Sequence, residues 1–471
     1  MKKAFSPLAL GMLVMAAMAV TGCKTYTERI ENYHNAVRAG DLDRATPLVQ
    51  EMVEDYAEED DDRDALVVVL EAANTSRVKG DLEQSQREFA RAERMYEAWQ
   101  QKARVSLSKE GFSLLTNPAT LPYRGSGADI LMVNTYQALN ALALGDRTGA
   151  RQPLMRLDSH QKDVVAENAE RIAKSREAVE KDKNSEQINQ SYSSTEVKGA
   201  TEKLMAELPD TRGYELYTNP FSEFLFAFYH RYLGADMADA EMARFRMGRA
   251  LAMAPENTTL RQEVESVEAM APIKPSVFLV HENGMAPYRK EFMLWLPIYA
   301  GNTFSSVSIA LPYMEVDKNC PGFATLCGGN ASAAAEMVCD MEAVLAQEYK
   351  NDYPVILTRA IASATFKAAV SYATNYAVRN AGGGVLGQLG AFVATAAYQY
   401  GTTAADTRSW VTLPKHFGVS RIDLPEDRKV SVKVEGKTIP VPLPADGSVF
   451  IVYLRTMQRG STPHVSVIKV R

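Results

Sequence analysis

Residues 78–85 read VKGDLEQS, and the same punctuation recurs at residues 38–45, RAGDLDRA, and at 143–150, ALGDRTGA. Each copy holds a Gly-Asp pair with a small residue four positions after the Asp: Gly40, Asp41 and Ala45; Gly80, Asp81 and Ser85; Gly145, Asp146 and Ala150. A looser copy separates Gly234 from Asp236 by Ala235 and keeps Ala240 at the same distance from the Asp. Glycine enters the left-handed conformation that ends a helix, and the next carboxylate caps the free amides of the following one. The pattern therefore predicts paired antiparallel helices.

The flanks agree. Val37, Leu48, Val49 and Met52, then Val78, Phe89, Ala92 and Tyr96, place apolar side chains at helical spacing. Gly80, Ala92 and Tyr96 fit the offsets of the tetratricopeptide pattern, as do Ala243, Met247, Ala250 and Pro255. The intervals between copies are irregular and exceed the repeat of about 34 residues, so the unit resembles a tetratricopeptide helix pair without a regular solenoid. The extra length is assigned to an irregular loop over 116–129, a long polar helix over 159–183 and a flexible linker over 184–195, rich in Ser, Asn and Gln. The acidic run Glu58, Glu59, Asp60, Asp61 and Asp62 lacks the alternating ligands and glycine of a calcium loop, and reads as a solvated face.

From Lys274 the pattern changes. Strands are expected over 277–280, 292–297 and 307–311, and again over 430–434, 438–443, 449–454 and 465–470. Between these groups lies an expected helical insertion over about 331–400. It holds the alanine-rich stretch 360–378, then Gly382, Gly383 and Gly384, then 385–400 with Gly387 and Gly390. Small residues let two helices approach closely, and Gly383 with Gly387 makes a GxxxG step. Gln388 and the alanine content favour a buried hairpin over a membrane-inserting one. The expected fold class is α+β: residues 23–271 form the helical array and 272–471 a β-rich domain with the inserted hairpin, each folding on its own.

Residues 1–22 read as a lipoprotein signal peptide. Lys2 and Lys3 precede an uncharged run from Ala4 to Gly22, too short to span a bilayer stably, and Val20, Thr21, Gly22 and Cys23 resemble a lipobox. That resemblance implies cleavage before Cys23 and lipid on its thiol, with buried acyl chains anchoring the mature protein. Lys24, in place of an Asp after the cysteine, favours the outer membrane, with the body facing the periplasm. The content of 46% hydrophobic and 23% charged residues is that of a globular protein, and a net charge of −6 without a basic cluster argues against a nucleic-acid partner.

Cys320, Cys327 and Cys339 are the other cysteines. In an oxidising periplasm one pair forms a disulfide, with Cys320 and Cys327 favoured across a loop holding Pro321 and Gly322; reduced thiols are the alternative. A metal site is disfavoured because no histidine is near in sequence. His281 and Glu282 begin like a zinc-protease helix, but Gly284 and Pro287 break it and no second histidine follows four residues on. Gly284 and Pro287 are better read as a turn joining two strands, with Arg289, Lys290 and Glu291 beginning the return strand; the motif His281, Glu282, Asn283, Gly284 and Pro287 is read as structural, with ligand contact as the alternative. Asp406 and Arg408 are expected to pair on one face of an extended segment, with Trp410 either buried against the hairpin or exposed as a binding anchor. There is no GxSxG elbow or phosphate-cradling loop, and the six histidines are scattered singly, so no enzyme and no cofactor is expected.

The strings NPF at 219–221, HENGMAPYRKE at 281–291 and DTRSWVTLP at 406–414, with the Gly-Asp helix pairs, resemble a family of uncharacterised bacterial lipoproteins over nearly the whole mature chain. The resemblance implies architecture and location rather than chemistry. Members are often encoded near lipoproteins that activate peptidoglycan synthases, which implies envelope assembly. The expected function is a lipid-tethered scaffold or adaptor that binds a protein partner in the envelope. An oligomerising assembly or export component is the runner-up, and a cell-wall enzyme with distant carboxylates is the third alternative.

Overall fold

The computed structural model describes residues 26–55, 63–109, 119, 121–211, 214, 217–300, 303–380 and 403–471. Cys23, the acidic run at 58–62 and the glycine-rich stretch expected to form the second arm of a helical hairpin lie outside the described residues. Each Gly-Asp pair closes one helix and opens the next. It joins α1 (Tyr26–Arg38) to α2 (Leu42–Asp55), α3 (Ala65–Lys79) to α4 (Leu82–Lys109), and α5 (Gly127–Ala143) to α6 (Arg147–Lys181). The glycines have φ of +73°, +94° and +77°. Asp41, Asp81 and Asp146 accept the amides of Arg44, Gln84 and Gly149 at 3.1, 3.2 and 2.8 Å. The small residues Ala45, Ser85 and Ala150 are fully buried at the crossings. Larger side chains would hold the helices apart there.

Two short helices, α7 (Ser185–Tyr192) and α8 (Thr195–Ala206), occupy the stretch expected to be a flexible linker. Burial of Ile188, Val197 and Leu204 supplies the packing that polar composition concealed. Helices α9 (Pro220–Leu233) and α10 (Met237–Met253) meet at the looser copy, where Asp236 accepts the Asp239 amide at 2.9 Å, and α11 (Thr258–Glu268) ends the helical half.

The chain then changes to strands near the expected boundary. Strands β1 (Ser276–Asn283), β2 (Tyr288–Ala300), β3 (Thr303–Glu315), β4 (Thr325–Gly328), β5 (Ala331–Ala334) and β6 (Glu336–Asp340) come first. Then come α12 (Met341–Asn380), β7 (His416–Asp423), β8 (Lys429–Val434), β9 (Lys437–Pro442), β10 (Val449–Thr456) and β11 (His464–Lys469). A five-stranded sheet has the order β11-β10-β1-β7-β6, with β1 and β10 parallel and the other pairs antiparallel. Strands β5-β4-β8-β9 form a second sheet, and β2 with β3 a separate hairpin. The helical insertion starts at Met341 rather than near 331, because the alanine-rich segment before it pairs as β5 and β6. Among the described residues, no helix is long and apolar enough to cross a membrane.

Period-two alternation gives the five-stranded sheet two buried faces. Val277, Leu279, Phe450 and Val452 pack against Leu326, Val430 and Val432 of the second sheet. Phe278, Val280, Ile451 and Val419 pack against the helices in one cluster that runs from Ile30 through Phe89, Tyr136 and Phe228 to Val470. Phe221 of α9 stacks on Phe417 of β7 with ring centroids 4.0 Å apart. The two halves, which were expected to fold on their own, share a core in which each supplies part of the wall. A third cluster lies where α7, α8 and α12 cover the β2–β3 hairpin.

Candidate functional site

The two motifs singled out in the sequence meet at the seam between the halves. Along α3, Glu71, Asn74 and Arg77 recur every three residues, so one polar stripe is aimed into the β half. All three are buried. Glu71 accepts the amides of Val411 and Thr412 at 2.7 and 3.3 Å, and Asn74 donates to the Thr412 carbonyl at 2.9 Å. Arg77 donates to Glu282 at 2.5 Å, and the Tyr453 hydroxyl donates to the other Glu282 oxygen. Arg455 donates to the carbonyls of Thr456 and Thr412 at 2.6 and 3.1 Å. These contacts tie α3, β1, β10 and residues 411–412 together.

His281, Glu282 and Asn283 end β1, and all are buried. The Ala324 amide donates to His281 Nδ1 at 3.2 Å, which leaves Nε2–H to donate to Thr456 Oγ1 at 2.8 Å. Burial, followed by the nearby Arg455 and His416, pushes this imidazole down to about 3. The turn begins at Gly284, with φ +72°, and passes through Pro287 into β2, although β1 and β2 belong to different sheets.

Asp406 and Arg408 pair as expected, with Arg408 Nε and Nη2 each 2.7 Å from a carboxylate oxygen, in an extended segment outside any sheet. The same guanidinium donates to the carbonyls of Arg63 and Leu121 at 2.6 and 2.8 Å. Trp410 is 2% exposed and packs against Phe89 and Tyr136, so it buries in the helical array rather than against the hairpin and is no exposed anchor.

Cys320, Cys327 and Cys339 are free thiols, so the expected Cys320–Cys327 disulfide is not formed. Cys327 is held in β4 between β5 and β8, whereas Cys320 turns toward Gly284 and lies 3.9 Å from His416 Nδ1. The histidine missing from the local sequence thus arrives from β7. Asp340, Glu342 and His416 form a group of metal-ligating type. However, Asp340 faces His416 Nε2 at 3.8 Å, on the opposite ring edge from Cys320, and Lys415 already pairs with Glu342 at 2.9 Å. One ion could not gather all of these donors.

An open recess lies elsewhere among the described residues: a cavity of about 200 Å³ enclosed by the loop before α5, the middle of α6, the β2–β3 hairpin, α12 and residues 403–406. Its cationic side chains are Arg124, Arg171, Arg289, Arg359 and Lys367; its acids are Glu167, Glu348, Asp352 and Asp406. The acids have partners. Asp352 accepts Arg171 and, at 2.7 Å, Asn168. Asp406 holds Arg408, and Glu167 accepts Gln100. Glu348 accepts the Gly127 and Ala128 amides at the start of α5, at 2.6 and 3.0 Å. Burial, and then Asp352, push its carboxyl up to about 7.

Three of the five cations are held against their preference, whereas burial is outweighed by neighbouring acidic groups that raise Arg171 and Arg289. Burial, then Arg124 and Arg171, depress Arg359 to about 9; burial, then Arg171, depress Arg124 to about 10; burial brings Lys367 to about 8. Arg124 lies over the Trp99 ring at 4.1 Å, and Lys367 donates to Thr403 at 2.8 Å. Val355, Ile356, Ala360 and Ala364 of α12 give the cavity an apolar wall. Sequence reading missed this site because its charges come from five segments far apart in the chain. One signal was present: Glu348, Asp352, Arg359, Ser363 and Lys367 follow helical spacing along α12. No protein-family model, no curated protein and no solved structure matches the chain.

Proposed function

We propose that this protein is a non-enzymatic, lipid-tethered scaffold or adaptor of the bacterial envelope, anchored through Cys23 to the outer membrane and facing the periplasm. Its recognition element is the cavity between the helical half and α12. On this reading it belongs with the uncharacterised lipoproteins that its HENGMAPYRKE and DTRSWVTLP strings resemble. Its Gly-Asp helix pairs stack in a tetratricopeptide-like manner. The observation that carries the reading is the placement of one apolar-walled, cation-rich cavity where both halves contribute side chains. The motif residues at the seam, by contrast, are consumed in joining the halves. Recessed, mostly apolar sites with a few convergent polar groups are where small ligands and anchoring groups of partners bind.

Two measurements test this. Cys23→Ser removes the thiol that accepts lipid, so the chain should lose acyl labelling and leave the membrane fraction; retained labelling refutes the anchor. A photoreactive side chain at Ser363, which faces the cavity, should form a defined adduct in living cells, whereas one at the exposed Phe245 of α10 should not. Adducts from Phe245 with none from Ser363 would move recognition to the helical surface.

A further inference from the structure

We propose that the cavity takes a phosphate monoester carrying an apolar chain; this rests on the cavity being the recognition element. Among the described residues, the Arg289 guanidinium makes no side-chain hydrogen bond or ion pair, and Arg124 is held by the Trp99 ring alone. Arg359 and Lys367 line the same space two helical turns apart on α12. Of the carboxylates beside them, Asp352 accepts Arg171, Asp406 accepts Arg408 and Glu348 accepts the amides at the start of α5, while Glu167 accepts the Gln100 amide. Like charges gathered in a half-buried space repel one another, and an anion bound among them relieves that cost. A phosphate monoester brings between one and two negative charges and three acceptor oxygens, which several guanidinium forks can share; a lone carboxylate brings one charge and two oxygens. The wall formed by Val355, Ile356, Ala360 and Ala364 offers nothing to a hydrophilic ion but suits methylene groups. A cavity of about 200 Å³ admits the head group and a short length of chain.

The probe is hexyl phosphate, compared with inorganic phosphate and hexanoate by calorimetry on the full lipoprotein in a neutral maltoside detergent. Hexyl phosphate should bind at least about tenfold more tightly than either, since it alone uses both charge and methylene burial. Arg124→Ala with Arg289→Ala should weaken hexyl phosphate by at least about tenfold through loss of charge-assisted bonds. Ala360→Phe fills the apolar wall without touching a charge, so it should abolish the advantage of hexyl phosphate while leaving inorganic phosphate unchanged. It also serves if the arginine variants fail to fold. Lysophosphatidate in the same micelles separates the sources: tighter binding than hexyl phosphate assigns the site to membrane lipid, weaker binding to a soluble ester. Equal binding of hexanoate, no binding of hexyl phosphate, or indifference to Ala360→Phe overturns the proposal. If hexyl phosphate fails while Ser363 still forms its adduct in cells, only the ligand class is wrong; if both fail, the cavity is not the recognition element.

Discussion

A buried carboxylate survives in a protein only when its surroundings replace water, and Glu282 receives Arg77 and Tyr453 for that purpose. Arg77→Met should cost about 3–5 kcal/mol in urea unfolding, because it strands the negative charge. The double variant Arg77→Met, Glu282→Met should be less destabilised than the single one, since Arg455 keeps its carbonyl acceptors; a double variant worse than the single would show that the pair stabilises outright. Two other buried groups give opposite pH dependences. His281 keeps a folded pKa of about 3, below the ordinary 6.5, so the unfolded chain takes up a proton first as pH falls. Its contribution is complete above about 6.5 and is lost on acidification, at about 1.4 kcal/mol per pH unit. Glu348, raised from 4.5 to about 7, behaves in reverse: it favours the folded state below 4.5 and loses that contribution as pH rises through about 7. Glu348→Gln should therefore flatten the decline in stability across that interval. An unchanged slope in pH-resolved unfolding would show that Glu348 ionises normally.

At the scale of elements, the helix pairs were legible because their signal is local: a positive-φ glycine and a capping carboxylate act within a few residues. Strands β5 and β6 were not, because Ala331–Ala334 has the composition of a helix and becomes a strand only through pairing with β4. Likewise, nothing near Glu71, Asn74 and Arg77 announces that their stripe faces another part of the chain rather than water; the partners lie more than 200 residues away in sequence for Arg77 and more than 300 for Glu71 and Asn74. The cavity was illegible for the same reason. Gly284 was read correctly as a turn residue, and its surroundings make a sharper demand. An added Cβ would lie 2.6 Å from Cys320 Sγ and 2.9 Å from Lys415 Cβ, at a φ of +72°. Gly284→Ala should destabilise by more than about 1 kcal/mol. Adding Cys320→Ala should recover part of that loss, the sulfur contact being one of the two collisions. No recovery in a double-mutant cycle would assign the whole cost to the backbone and Lys415.

For the whole molecule, a shared core means shared stability. A chain ending at Ala271 would expose Phe89, Tyr136, Phe221 and Phe228 where Trp410, Phe417 and Phe278 now cover them. Each buried aromatic is worth roughly 1.5–3 kcal/mol, comparable in sum to the whole stability of a domain. Residues 24–271 alone should keep helical circular dichroism, unfold without a cooperative transition and show little amide protection in α3, α5 and α9. A sharp transition would restore the two-domain view. The pairing of β1 with β10 also sets a clock. The strand at 276–283 sits at the centre of its sheet, and among the described strands its parallel neighbour at 449–456 is made after every other except the one at 464–469. Loops of that length close slowly. A polypeptide emerging from a ribosome or threading a secretion channel cannot assemble this sheet piece by piece. The sheet must remain unfinished until the strand at 449–456 arrives, which leaves the apolar faces of the helices uncovered until then.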